Sequence, residues 1–154
     1  MYPSFLLLHS LFRWLVIGAG LRALVKAVMG VTAGKKWEPS DDYAGRAFVM
    51  ALDIQVLIGV ILYVFLSPYT MAAFSDMTGT MRSAPLRFIV VEHGFGMLAA
   101  LALAHVGRVR IRKTADLMAR HRMALMFFGL AFVILLISTP WPFMPAGRPL
   151  LRGF

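Results

Sequence analysis

Apolar residues run almost unbroken over four stretches, Phe5 to Met29, Ala47 to Leu66, Leu86 to Gly107 and Met123 to Thr139, with the polar residues gathered between them. Each stretch is close to the ~20 residues that carry an α-helix across ~30 Å of hydrocarbon. Strands of a membrane barrel alternate apolar and polar residues in segments of about ten, whereas these runs are longer and continuous. The pattern predicts an all-α integral membrane four-helix bundle that uses residues 1–154 as one domain, with spans roughly 5–29, 47–66, 86–107 and 123–139. Short connections make up-down-up-down the simplest topology, which sets spans one and three on a diagonal.

The residues between the runs agree with this division. Gly30 and Gly34 close the first span, and Pro39-Ser40-Asp41-Asp42 has the form of a helix N-terminus with acids in its first turn. Span two is therefore expected to begin ahead of its apolar part. Ser67-Pro68 ends it, Pro85 suits the first turn of span three, and Pro140, Pro142 and Pro145 end span four. Tyr69 to Ala84 reads as an external loop over the mouth of the bundle. The first stretch lacks a basic leading region and a small-residue cleavage site, so it is expected to be a retained span and not a signal peptide.

Composition fixes the compartment. With 60% hydrophobic and 15% charged residues and a mean hydropathy of +0.76, the chain lies outside the range of soluble domains. No segment is left for a soluble catalytic domain, which favours an electron-transfer or accessory subunit over a stand-alone enzyme. The absence of cysteine excludes disulfides, thiolate metal sites and iron-sulfur clusters ligated by this chain. Of the 16 basic residues, ten fall in the loops after spans one and three. Only Arg82, Arg87, Arg148 and Arg152 fall on the opposite side, so a bacterial cytoplasmic membrane with both termini external is expected. The net charge of +9 sits beside the spans, where attraction to anionic lipid explains it without nucleic acid.

Ionisable side chains inside a span are costly and mark functional sites. His9 and His93 lie ~8 and ~10 Å below the outer ends of spans one and three at 1.5 Å per residue. Two imidazoles at one level on diagonal helices can hold one haem b iron from both faces, and a quinone is the alternative ligand. Arg13, one turn below His9, can meet a haem propionate, a quinone oxygen or Glu92, and Glu92 can orient a histidine N–H. Gln55, Gly59 and Tyr63 form a stripe at i, i+4 and i+8 that can line this site, and Met97 is one turn from His93. A second reading stands beside it, in which the histidines only meet interfacial water and Arg13 with Glu92 is a structural ion pair. Asp53 is expected to pair with Arg22 or Lys26, His105 to be a structural residue, and His121 to lie in a basic headgroup-binding run. His93 and His105 are ~120° apart around the helix, which favours one haem over two stacked haems.

His9-Ser10-Leu11-Phe12-Arg13-Trp14, Gln55-Val56-Leu57-Ile58-Gly59 with Tyr63, Arg87-Phe88 followed by Glu92-His93, Gly107-Arg108 and His121 together resemble a family of small bacterial four-helix membrane proteins. The resemblance spans nearly the full chain. Some members carry a cytochrome-b-like label, so it implies the four-helix fold and haem association. The resemblance implies histidine in many relatives at the position held here by Asp53, so a ligand role is not expected at that position. The expectation is a cytochrome-b-like subunit holding one haem or a quinone near the outer leaflet, with His9, Arg13, Gln55, Glu92 and His93 around it and His9 and His93 on the iron. The alternative is a non-catalytic accessory subunit of a larger respiratory or photosynthetic complex, or a homo-oligomer, with the tail from Pro145 to Phe154 as its docking segment. A small transporter ranks third, because no pair of Gly/Pro-broken helices falls at mid-membrane.

Overall fold

A computed structural model describes residues 1–149; Arg152 and the last five residues of the docking tail lie outside them. Helix α1 covers Tyr2–Thr32 and opens with proline in its first turn. Gly34, in the left-handed region at φ 59°, turns the chain away from its end. Helix α2, Pro39–Ile61, starts with a reciprocal cap: Glu38 accepts from the third-position backbone, and the Glu38 amide donates to Asp41 Oδ2 at 2.9 Å. It thus begins well before the apolar run, as the Pro-Ser-Asp-Asp signal predicts.

The segment read as an external loop is instead largely helical. α2 runs on through a π-helical turn, Leu62–Leu66, before Ser67 breaks it. Ser67 and Asp76 then cap two short helices, α3 (Pro68–Ser75) and α4 (Met77–Arg82), each side chain accepting from a first-turn amide. Capping residues three positions ahead of those amides, within a Met-rich and Thr-rich segment, are what turn this connection helical. The short α5 (Ala84–Arg87) passes through a second π-helical turn, Phe88–Glu92, into α6 (His93–Lys113), and α7 covers Ala119–Ile137. Four helical stretches, Tyr2–Thr32, Pro39–Leu66, Ala84–Lys113 and Ala119–Ile137, are long and apolar enough to cross a membrane. Each is longer than the apolar run that reveals it.

The helices pack as a ring in which α1 touches α2 and α7, and α6 touches α7 and α2. Small residues make this possible: Ala23, Ala27, Ala44, Ala51, Ala100 and Ala104 are all buried, and such positions let helix backbones approach in a membrane where no hydrophobic force pulls them together. The space left is filled by Phe48, Phe128 and Phe132, with Phe48 edge-on to Phe128 at 5.7 Å. Leu15, Met50, Leu57, Phe95 and Val133 point outward and are exposed, as a bundle surrounded by hydrocarbon requires.

Acidic residues near the start of α2 hold the basic side chains. Lys26 Nζ donates to Asp41 at 3.0 Å, and Arg108 reaches both oxygens of Asp42 at 2.6 and 2.9 Å. Asp53 does not pair with Arg22 or Lys26. It accepts from His105 Nε2 at 2.7 Å, while Arg22 lies 5.7 Å over the Tyr43 ring. Helix periodicity is the reason: Asp53 is ~120° around α2 from Asp41, which faces α1, but only ~20° from Asp42, which faces α6.

The packing of Gly20 and Gly18 gives opposite expectations. A Cβ at Gly20 would come within 2.6 Å of Phe132 and 2.9 Å of Phe48, whereas a Cβ at Gly18 meets nothing within 4 Å. Gly20→Ala is expected to cost about 1–3 kcal/mol through overpacking, and Gly18→Ala to leave stability unchanged or raise it by about 0.5–1 kcal/mol. Thermal unfolding of both variants in one detergent measures the difference.

Candidate functional site

At the other end of the bundle, side chains from all four long helices converge. Their anchor is a pair of widened turns. A π-helical turn spaces main-chain groups off the regular ladder and recurs at functional sites, and here two of them face each other. Tyr63, in the first, donates its phenol hydrogen to the carbonyl of the buried Val90, in the second, at 2.7 Å. Thr70 Oγ1 donates in turn to the Tyr63 carbonyl at 2.7 Å. The α3 start, the end of α2 and the lead into α6 are thereby tied together through one tyrosine.

Directly below lies a cluster of nitrogen and oxygen groups. Gln55 Nε2 donates to the His9 carbonyl at 3.0 Å and lies 3.4 Å from His9 Nε2. His93, the first residue of α6, donates from Nδ1 to the Ser138 carbonyl at 2.7 Å. A carbonyl only accepts, so Nδ1 carries the proton and the second ring nitrogen of His93 keeps its lone pair. Ser138 follows the last turn of α7, where carbonyls have no helical partner. The two imidazoles of α1 and α6 meet edge to face, with centres 6.2 Å apart and planes at 83°.

Glycines bring these groups within reach. A Cβ at Gly59 would stand 3.2 Å from His9 Cε1, and one at Gly96 would overlap Ser138 Oγ. The first leaves room for the His9 ring, and the second lets the end of α7 close on α6. After these bonds are made, His9 Nδ1 and Gln55 Oε1 remain buried without a hydrogen-bond partner. Buried polar atoms without partners are rare in proteins and point to a ligand or an ion.

Two cavities meet at this cluster. One, of about 160 Å³, opens toward the mouth past Tyr2, Tyr69 and Arg148 and has Arg13 in its wall. The other, of about 260 Å³, is a cleft between α2 and α6 walled by Val56, Val60, Val64, Phe95 and Leu98. His9, Gln55, Gly59, Tyr63, His93 and Met97 line both.

Of the residues proposed from sequence, His9, Arg13, Gln55 and His93 are therefore brought together, with Gly59, Tyr63 and Met97. Glu92 is not. It ends the second π-helical turn, is half-exposed and accepts from Arg87 Nε at 2.9 Å, away from both Arg13 and the histidines. Its depth matches the site, but a residue adjacent to His93 points ~100° away around the helix.

His121 departs further from expectation. It is 1% exposed, packed on the Trp37 ring at 4.9 Å and against Gly30, with Asp41 Oδ2 at 3.8 Å, and is no headgroup-facing residue. Its spacing to Ala124, Phe128 and Ala131, all buried on one face of α7, is the signal that places it inside. Arg148, in the wall of the first cavity, and the Ser138 carbonyl carried no comparable signal. Comparison with known protein families, curated proteins and solved structures finds no match to this chain, so the site's geometry alone bears on what it does.

Proposed function

We propose that this chain is a cytochrome-b-like membrane electron-transfer protein that holds one haem between His9 and His93. The observation that carries the reading is the spacing of the two rings. Two imidazoles that share one metal at about 2 Å each would have ring centres roughly 6 Å apart, and these stand at 6.2 Å. His93 also has the partner such a ligand needs. Metal-binding histidines donate their other N–H to a carbonyl or carboxylate, which fixes the ring and raises its basicity, and Ser138 supplies that carbonyl. Haem iron so ligated would supply one-electron chemistry. The chain's own contribution would be to hold two imidazoles side by side, to exclude water with the apolar walls of α2 and α6, and to set Arg13 and Arg148 as cations beside the site.

The distribution of Lys and Arg supports up-down-up-down insertion in a bacterial cytoplasmic membrane, with both termini and this site toward the external side. A quinone is the second reading, and the cleft between α2 and α6 favours it. Its walls are valine, phenylalanine and leucine, and at its inner end the unsatisfied His9 Nδ1 could donate to a quinone oxygen while Gln55 Oε1 could accept from the hydroxyl of the reduced quinol form. In that case the histidines and Gln55 would hydrogen-bond the head group while the apolar tail left through the cleft.

A reduced-minus-oxidised spectrum and a pyridine haemochrome assay on detergent-purified protein, expressed with ample haem, separate the two. The haem reading expects a b-type signal near one haem per chain, abolished in His93→Ala and His9→Ala. No haem in the wild-type protein overturns it.

Gln55 and Glu92 supply a further contrast. Glu92→Gln is expected to leave the spectrum and haem content unchanged, because Glu92 faces Arg87. Gln55→Leu removes the contact to the His9 carbonyl and is expected to shift the spectrum or midpoint potential while retaining haem. If the cleft instead holds a quinone, Gln55→Leu lowers the quinone that copurifies, read by extraction and chromatography.

A further inference from the structure

After α7 the chain folds back over the mouth of the site. Arg148 N donates to the Pro140 carbonyl at 3.2 Å, which closes residues 140–148 into one loop. Inside it, Met144 N donates to the Trp141 carbonyl at 3.0 Å and Gly147 N to the Met144 carbonyl at 2.7 Å. The base of the loop is fixed to α7, where the Trp141 indole donates to the Leu136 carbonyl at 2.7 Å. Compact surface loops whose ends meet in this way are frequently functional.

The far end of the loop lands on a different element. The Arg148 guanidinium lies 4.8 Å over the ring of Tyr69, in the first turn of α3. Thr139, Pro140, Arg148 and Pro149 thereby line the mouth cavity together with Leu6 of α1 and Tyr69. Gly147 permits the tight return. A Cβ there would stand 2.6–2.7 Å from the carbonyl oxygens of Trp141, Pro142 and Met144, main-chain atoms that cannot move aside without opening the loop.

The two entrances to the polar cluster are therefore held differently. The cleft is walled by side chains of two spans, α2 and α6. The mouth is bounded on one side by a surface loop that meets α3 through a cation over a ring, and an exposed contact of that kind is weak enough to break and reform thermally. The surface it meets is fixed, because Thr70, next to Tyr69, donates to the Tyr63 carbonyl at 2.7 Å and so ties α3 to the π-helical turns.

We propose that residues 139–149 are a strap that gates the passage of water and small polar solutes through the mouth to His9, Gln55 and His93, with Arg148 on Tyr69 as its latch. Apolar molecules have the cleft as a separate way in. The proposal rests on the cluster being a ligand site and not on which ligand it holds.

The chain contains no cysteine, so a single introduced cysteine reports on the mouth. Leu6→Cys places one in the cavity wall, and Thr78→Cys places one on the exposed side of α4. A charged methanethiosulfonate, added to the full chain in lipid nanodiscs, reaches position 6 through the mouth, since the cleft is apolar. In the Leu6→Cys background, Tyr69→Leu and Arg148→Gln are each expected to raise the labelling rate about two- to fivefold, the gain that loss of one exposed cation–π contact allows. Combining them is expected to add nothing further, because both remove the same contact. Tyr69→Phe, which keeps the aromatic face, is expected to leave the rate unchanged, and Gly147→Ala to raise it without touching either partner.

Unchanged labelling in Tyr69→Leu and Arg148→Gln overturns the strap. So does a rate in Tyr69→Phe as high as in Tyr69→Leu, or a parallel rise at Thr78→Cys, which marks general loosening. Labelling is read independently of the haem spectrum: a chain without haem that shows the expected pattern overturns the haem reading alone, and a haem-binding chain with flat labelling overturns the strap alone.

Discussion

Hydrocarbon offers no hydrogen-bond partners, so every main-chain group that leaves the regular helical ladder inside a span must find one within the chain. The bundle leaves that ladder at three places close together: two π-helical turns and the end of α7. Each is answered by a side chain from another element. Thr70 binds the Tyr63 carbonyl, Tyr63 binds the Val90 carbonyl, and His93 binds the Ser138 carbonyl. The polar residues of the site are first of all partners for backbone. What distinguishes His93 and Gln55 is that each keeps bonding capacity after that task is done, and it is this surplus that a ligand can use.

Close helix approach is the second condition. Alanine and glycine at the contact positions draw the four helices near enough that three phenylalanines fill one half of the interior. The other half is left with polar side chains and two cavities. A membrane bundle gains little from burying apolar surface against other apolar surface, since lipid tails are as good a neighbour. Packing and polar bonds carry its cohesion, so a cavity in such a bundle is costly unless something occupies it.

Much of this was legible in the sequence. Run length alone gives four spans, and the Pro-Ser-Asp-Asp start of α2 is readable because a capping box has a fixed local spacing. His9, Gln55 and His93 could be grouped because depth along a span follows from residue count. Facing was harder. Glu92 has the depth of the site and not its direction, and Asp53 meets α6 where α1 was expected, since neither rotation nor neighbour order is visible in a nearly uniform apolar run. His121 was misread because its arginine neighbours dominate the local composition, while the three-residue and four-residue spacings that bury it extend down the helix. The π-helical turns depend on contacts between distant segments, and no local residue pattern announces them.

Those turns have a consequence for how the chain can vary. A widened turn holds one more residue than a regular one, and so resets the angular phase of everything beyond it. In the stretch from Ala84 to Lys113, residues before Phe88 and after Glu92 therefore belong to two separate angular frames, joined at the level of the site. A one-residue deletion in that turn would be absorbed as ordinary helix, yet it would swing His93 toward lipid and carry the whole inner half of α6 round with it. The span behaves as two independently aimed half-helices on a single hinge of registration, and its length is as tightly constrained there as its chemistry.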